Sequence, residues 1–259
     1  MSSWRYHRPA TVAEAVRLLD TGGAVLLAGG QTLVPALART PARSATLVDL
    51  GAIAGLRDIT ASDAEIRIGA MATHTRIATD PVVRQGIPSL ARLAFDIADP
   101  QVRNRATIGG SVAYADPAGD YPAACLGLSA TVITDRRRIP AAEYFTGAFC
   151  TALTDSEMVV ALSFPTFPQL LRAAYVRLPN RTARSALVGV MVAEAESGFQ
   201  VAVGGLASGP LRWPEAEAAL DNRLHPEALQ DLACPLGASD YLAHMARALA
   251  VRAVQSLAT

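Results

Sequence analysis

The chain has 259 residues, enough for one large domain or two smaller ones with a sizeable core. With 51% hydrophobic and 18% charged residues it falls outside the disordered class, and a net charge of zero without a dominant basic tract removes the footprint of a nucleic-acid binder. All 23 basic residues are arginine, which excludes lysine-based chemistry.

The N-terminal MSSWRYHRPATVAEAV lacks an apolar h-region, so no cleaved secretion signal is predicted. Trp4 and Tyr6 read as anchors of an N-terminal strand. TVAEAVRLLD, residues 11–20, has helical apolar spacing behind a Thr cap. Residues 21–38 carry no charge, yet glycines, Gln31 and Pro35 interrupt them too often for a bilayer span. A soluble, cytoplasmic protein is the expectation.

The apolar run Ala24-Val25-Leu26-Leu27 leads into AGGQTL, residues 28–33. Two readings stand side by side: a strand-to-helix turn using glycine's freedom at positive φ, or a main-chain cradle whose N–H groups approach an anion. The stretch is neither a P-loop nor G-x-G-x-x-G. Further on, ATLVDLG reads as a strand and GLRDITASDAEIRIGA as a hairpin, and THTRIATDPVVRQGIPSLARLAFDIA as helical segments broken by prolines. His74 reads as a helix-start or turn histidine, with a cofactor contact as the lesser reading.

A second glycine turn, TIGGS at residues 107–111, repeats the character of the first. Two such turns facing each other could wrap a diphosphate, with main-chain N–H groups as most of the donors and hydroxyls from Thr32, Thr107 and Ser111. Two glycine pairs in a core cost roughly 0.5–1 kcal/mol per glycine against alanine, which a protein without a cofactor has little reason to accept. Asp116 and Asp120 follow; each could cap the turn at Pro117 or Pro122 instead of meeting a ligand.

Strands are predicted at ATVITDRRRIPAAEYF, EMVVALSFP, RAAYVRL, ALVGVMVAEA and FQVAVGGL, with Arg136-Arg137-Arg138 a solvated hairpin tip and Phe145 and Phe149 in the core. After Pro214, PEAEAALDNRL, PEALQDLA and SDYLAHMARALAVRAVQSLA read as helices. A mixed nucleus before about residue 170 is thus followed by a smaller strand-then-helix unit. Cys125, Cys150 and Cys234 are too far apart for a metal knuckle and fit buried thiols; His7, His225 and His244 offer no ligand spacing.

AGGQTL, IGAMATH, QVRNRATIGGSVAYADPAGDYPA, AAEYFTGAFCTAL and YVRLPNRTARSALVGV, in this order, resemble the FAD-binding medium subunits of molybdenum hydroxylases, the family of xanthine dehydrogenase and aerobic carbon monoxide dehydrogenase. The resemblance implies an α+β fold: a two-lobed FAD-binding domain of the vanillyl-alcohol oxidase (PCMH) type over 1–170, with lobes of about 1–52 and 53–170, and a small α/β C-terminal domain over 171–259. It implies FAD between the lobes, its pyrophosphate against Leu27, Ala28, Gly29, Gly30, Gln31, Thr32 and Leu33 on one side and Thr107, Ile108, Gly109, Gly110 and Ser111 on the other. Asp120 matches an acid that binds the ribose or adenine end. Val159 matches an apolar position at the adenine half, with a core valine as the alternative reading.

Arg177 stands where the family often has a lysine near the isoalloxazine ring, Ser185 where it commonly has an acid, and Ala106 where it usually has glycine. No catalytic side chain and no metal site is expected in this chain. By the same resemblance, the molybdenum cofactor and the two-iron two-sulfur clusters belong to a molybdopterin-binding large subunit and an iron–sulfur small subunit, in a heterotrimer or a dimer of heterotrimers. The chain would pass electrons from those clusters through FAD to a terminal acceptor. A flavin-free scaffold, motivated by Ala106, Arg177 and Ser185, and a stand-alone flavin oxidase are the alternatives.

Overall fold

A computed structural model of the chain describes residues 3–39, 44–166, 170–182, 184–205, 208–235 and 240–257. The first lobe runs β1 (Ser3–His7), α1 (Val12–Asp20), β2 (Ala24–Leu27), α2 (Leu33–Arg39) and β3 (Ser44–Asp49), with an all-parallel sheet in the order β1-β3-β2. Thr11 caps α1 by accepting from the Glu14 N–H, and α1 buries Ala15 against Val48, Leu50 and Ile53. Trp4 and Tyr6 lie on one face of β1, and both are exposed. Tyr6 is tied down by donating its hydroxyl to the Asp49 carboxylate rather than by burial.

The second lobe holds β4 (Ile59–Ala61), β5 (Glu65–Gly69), α3 (His74–Thr79), α4 (Pro81–Gly86), α5 (Pro88–Asp96), α6 (Pro100–Arg103), α7 (Ile108–Tyr114) and α8 (Asp120–Gly127). It continues through β6 (Thr131–Thr134), β7 (Arg138–Pro140), α9 (Ala141–Tyr144), β8 (Phe145–Gly147), β9 (Cys150–Thr151) and β10 (Val159–Pro165). Its antiparallel sheet has the order β4-β5-β10-β6-β7, and β8 and β9 form a separate hairpin. Pro81, Pro88 and Pro100 each sit in the first turn of a helix, where a missing N–H costs nothing.

The C-terminal unit is an antiparallel meander of β11 (Leu170–Pro179), β12 (Ala186–Ala195), β13 (Gly198–Gly204) and β14 (Leu211–Arg212), followed by α10 (Pro214–Asp221) and α11 (Asp240–Leu257). Both faces of β12 are buried. Met191 and Ala193 join the second lobe's core with Tyr121, Ala124 and Leu128 of the α8 region, whereas Val188, Val190 and Val192 join Trp213, Ala246 and Leu249 in a second core. The unbroken apolar run of β12 follows from this double burial.

Residues 226–231, read as helical, form a 3-10 helix. Two expectations need correction. Of the cysteines only Cys125 is buried, its thiol pushed up by burial, while Cys150 is exposed and Cys234 half-buried. Phe149 is 55% exposed: its turn demands a left-handed backbone (φ 55°), held by the Phe149 N–H donating to the Ala115 carbonyl, and its ring packs edge-on to exposed Tyr114. The arginine tip is the expected exposed hairpin, its three side chains 45–53% exposed. Arg137 pairs with Glu157 at 2.9 Å and Arg138 with Glu65 at 2.7 Å.

Candidate functional site

The two glycine turns meet. A Cβ on Gly29 would lie 2.0 Å from the Arg105 carbonyl oxygen and 2.8 Å from the Ala106 Cα, so the backbones touch at a distance only glycine permits. A Cβ on Gly110 would lie 3.5 Å from the Ala28 Cβ. The first turn leaves β2 after Leu27, which pairs with Asp49, passes Gly30 at φ 74° and enters α2 at Leu33. The N–H groups of Gly29, Gly30, Gln31 and Thr32 donate to no described residue, and Gln31 and Thr32 are exposed. Uncommitted main-chain donors beside a close backbone approach fit an anion such as a diphosphate.

The second turn is built differently, which corrects the expectation that main-chain donors dominate there. Thr107 caps α7 by accepting from the Gly110 N–H at 3.2 Å, and Ser111 N–H donates to the Thr107 carbonyl. Ile108 and Gly109 N–H donate to the carbonyls of Ala72 and Ala70. A Cβ on Gly109 would lie 2.4 Å from the Ala70 Cβ, so this glycine serves the packing of α7 on the loop after β5. What remains for a ligand on this side are the Thr107 N–H, which donates to no described residue, and the hydroxyls of Thr107 and Ser111.

Asp120, the first residue of α8, is 5% exposed. Its Oδ1 accepts from the Tyr175 hydroxyl at 2.7 Å, and its Oδ2 from Arg177 Nη1 at 2.9 Å. Burial pushes the carboxyl up from its ordinary value, and Arg177 and the Tyr175 hydroxyl pull it back. Asp116 takes the turn-capping role by accepting from the Ala118 N–H at 2.9 Å.

Arg177 also donates to the carbonyls of Arg184 and Asp96, so one guanidinium joins β11, α8, the end of α5 and the turn before β12. None of these hydrogen bonds reaches either glycine turn. Val159 is 5% exposed in the second lobe's core.

Tyr175 and Gly189 escaped the sequence reading. The two-residue period of β11 places Tyr175 on the same face as Arg177, a signal present in YVRL. Gly189, opposite Arg177, admits the tyrosine, since a Cβ there would lie 2.1 Å from its hydroxyl oxygen. His74, at the start of α3, is 3% exposed, and its Nδ1 lies 3.3 Å from the buried Tyr121 hydroxyl. Burial first, then the nearby Arg103 charge, lowers its pKa to about 4.

Among the described residues no three His, Cys, Asp or Glu side chains could hold a metal ion, and no helix is long and apolar enough to cross a membrane. A cavity of about 610 Å³ beside Gly86, Ile87, Pro88 and Arg172 touches none of the sequence-predicted site residues.

A family profile described as "FAD binding domain in molybdopterin dehydrogenase" matches residues 2–167. The chain is 38% identical over 204 residues to the carbon monoxide dehydrogenase medium chain of Hydrogenophaga pseudoflava, covering 76% of this chain and 71% of that one. It is 34% identical over 234 residues to the nicotine 6-hydroxylase medium subunit of Paenarthrobacter nicotinovorans, covering 86% and 82%. A chain in the solved carbon monoxide dehydrogenase from Hydrogenophaga pseudoflava, in a form lacking the Mo-pyranopterin moiety, superimposes with a TM-score of 0.88 at 33% identity, covering 98% and 96%.

Proposed function

The chain belongs to the FAD-binding medium subunits of the molybdenum hydroxylases, and we propose that it acts as the electron-transfer subunit of such an oxidoreductase complex. Bound FAD would supply the redox chemistry, taking electrons from iron–sulfur clusters on a partner chain and passing them to a terminal acceptor. The partners are a molybdopterin-binding large subunit and a two-iron two-sulfur small subunit, in a cytoplasmic heterotrimer or dimer of heterotrimers. Relatives carrying the words "medium chain" and "medium subunit" support this reading.

In this proposal residues 1–170 bind FAD between lobes of about 1–52 and 53–170, and 171–259 form the C-terminal domain. The single observation that carries it is the backbone contact of Gly29 with Arg105 and Ala106, beside the uncommitted N–H groups of residues 29–32. Main chain from Leu27 to Leu33 and hydroxyls within Thr107–Ser111 hold the diphosphate from its two sides. Asp120 has acceptor capacity left for the ribose or adenine end, because a carboxylate offers about four lone-pair sites. Val159 lies toward the adenine half. Arg177, paired with Asp120 at 2.9 Å, belongs to the same end of the cofactor as that carboxylate, where it holds the carboxylate in place, rather than to the isoalloxazine side.

The test is the colour of the full chain. Purified with FAD, it takes up one flavin and shows the yellow absorbance bands, and Gly110→Val, which sets a branched side chain against the diphosphate, stays colourless while folded. A wild-type chain that no added FAD colours favours a flavin-free scaffold. The committed N–H groups at the start of α7 are the observation on that side.

A further inference from the structure

His74 connects the contact of the turns to the interior. Its N–H donates to the Ala106 carbonyl at 3.1 Å, Thr73 forms a bridge with Thr107, and Ala106 is one of the two residues that press on Gly29. On the other side of the ring, Tyr121 is fully buried, and the one hydrogen-bond partner described for its hydroxyl is His74 Nδ1. If Nδ1 carried the proton, it would donate to the tyrosine oxygen and strand the tyrosine hydrogen in a dry interior. With the hydroxyl as donor, both groups are satisfied, and the imidazole proton moves to Nε2. Nε2 then has a donor without an acceptor among the described residues. Unlike Ser89 Oγ and Tyr144 Oη, it is not a sealed interior atom.

We infer that Tyr121 fixes His74 as its Nε2–H tautomer and that this neutral donor binds an oxygen of the diphosphate or ribityl segment of FAD at the junction of the glycine turns. The inference rests on the FAD reading above. His74 is then a binding residue and Tyr121 a positioning residue. A neutral donor suits this place: it keeps its proton without the desolvation a buried imidazolium would suffer beside Arg103.

Two measurements on the full chain test it. In the FAD-free wild type, ¹⁵N spectra of histidine-labelled protein are expected to show His74 protonated at Nε2 and bare at Nδ1, and Nδ1–H would overturn the proposal. In FAD titrations followed by flavin fluorescence, His74→Phe is expected to weaken binding by roughly tenfold, the loss of one hydrogen bond. Tyr121→Phe is expected to weaken it by a smaller factor and to show a mixture of tautomers. His74→Gln, whose amide reaches near the Nε2 position, is expected to recover most of the affinity, which a purely structural role would not produce. A wild type that binds FAD and a folded His74→Phe that binds it equally well overturn the proposal alone. A wild type that binds no FAD overturns the reading beneath it as well.

Discussion

Replacing Gly29 by alanine tests the junction directly. The new methyl carbon would stand 2.0 Å from the Arg105 carbonyl oxygen, 2.7 Å from its carbon and 2.8 Å from the Ala106 Cα, all main-chain atoms that cannot swing aside. Reaching an ordinary contact of about 3.5 Å requires the two turns to part by about 1.5 Å. Overpacking of this kind costs about 1–3 kcal/mol, partly offset by about 0.4–1 kcal/mol from a stiffer unfolded chain. A net loss of about 1–2 kcal/mol lowers the melting temperature by about 2–8 °C for a chain of this size.

The effect on the cofactor is larger than the effect on the fold. A displacement of about 1.5 Å breaks the alignment of N–H groups with a diphosphate, and a single hydrogen bond to a charged group contributes about 1.5–3 kcal/mol, so FAD affinity is expected to fall by on the order of tenfold to a hundredfold. Gly147→Ala is the control, because its nearest neighbour, the Cys150 Cβ, would be 3.7 Å away. The assay pairs FAD titration with thermal unfolding of both variants. If Gly29→Ala binds FAD like wild type and melts with Gly147→Ala, the junction is not where the cofactor is held.

Arg177→Lys retains a charge for Asp120 but cannot also reach the carbonyls of Asp96 and Arg184, so a loss of about 2 kcal/mol is expected, read as a melting point lower by about 4–8 °C; an unchanged value would remove the clamp from the account. His74 is neutral in the folded chain with a pKa of about 4 against the ordinary 6.5, so the unfolded chain takes up a proton first as pH falls. Its contribution is complete above about pH 6.5 and declines toward pH 4 by about 3 kcal/mol in all, which urea titrations across that window check. His74→Phe is expected to flatten that slope. Glu157, held low by Arg137 foremost, contributes in full above its ordinary 4.5 and loses that contribution as pH falls further, so the pH dependence it adds lies in the more acidic range.

What could be read from the sequence was local or repeated. The period of TVAEAVRLLD, the alternation of Ile66 and Ile68 and the double-sided apolar run of β12 each follow from burial on a helix face, one sheet face or both faces. The glycine pairs marked close approach, but not which atoms approach. Gly109 serves Ala70 and Gly29 serves Arg105, and those partners lie 39 and 76 positions away in the chain. The fate of the N–H groups at the start of α7 was equally hidden, because their acceptors, Ala70 and Ala72, belong to a loop that only the β5–β10 pairing brings there. Phe149 was misjudged for a related reason: composition says core, while the backbone needs a left-handed residue at a surface turn.

The same distance explains why Asp120 and Arg177 read as two separate ligand positions and stand as one buried pair. A charge 57 residues from its counter-charge gives no local signal, yet neither could be buried alone without a desolvation cost of several kcal/mol. Once paired, they make the wall beside α8 depend on β11, and β11 depends on Gly189 leaving room for Tyr175. Since β12 also buries Met191 and Ala193 against the second lobe, the C-terminal unit is part of what shapes that lobe, not an appendage to it. The geometry around the glycine turns and α8 is therefore set from two directions. The glycine junction holds the lobes together from the N-terminal side, and the Tyr175–Asp120–Arg177 network fixes α8 from the C-terminal side.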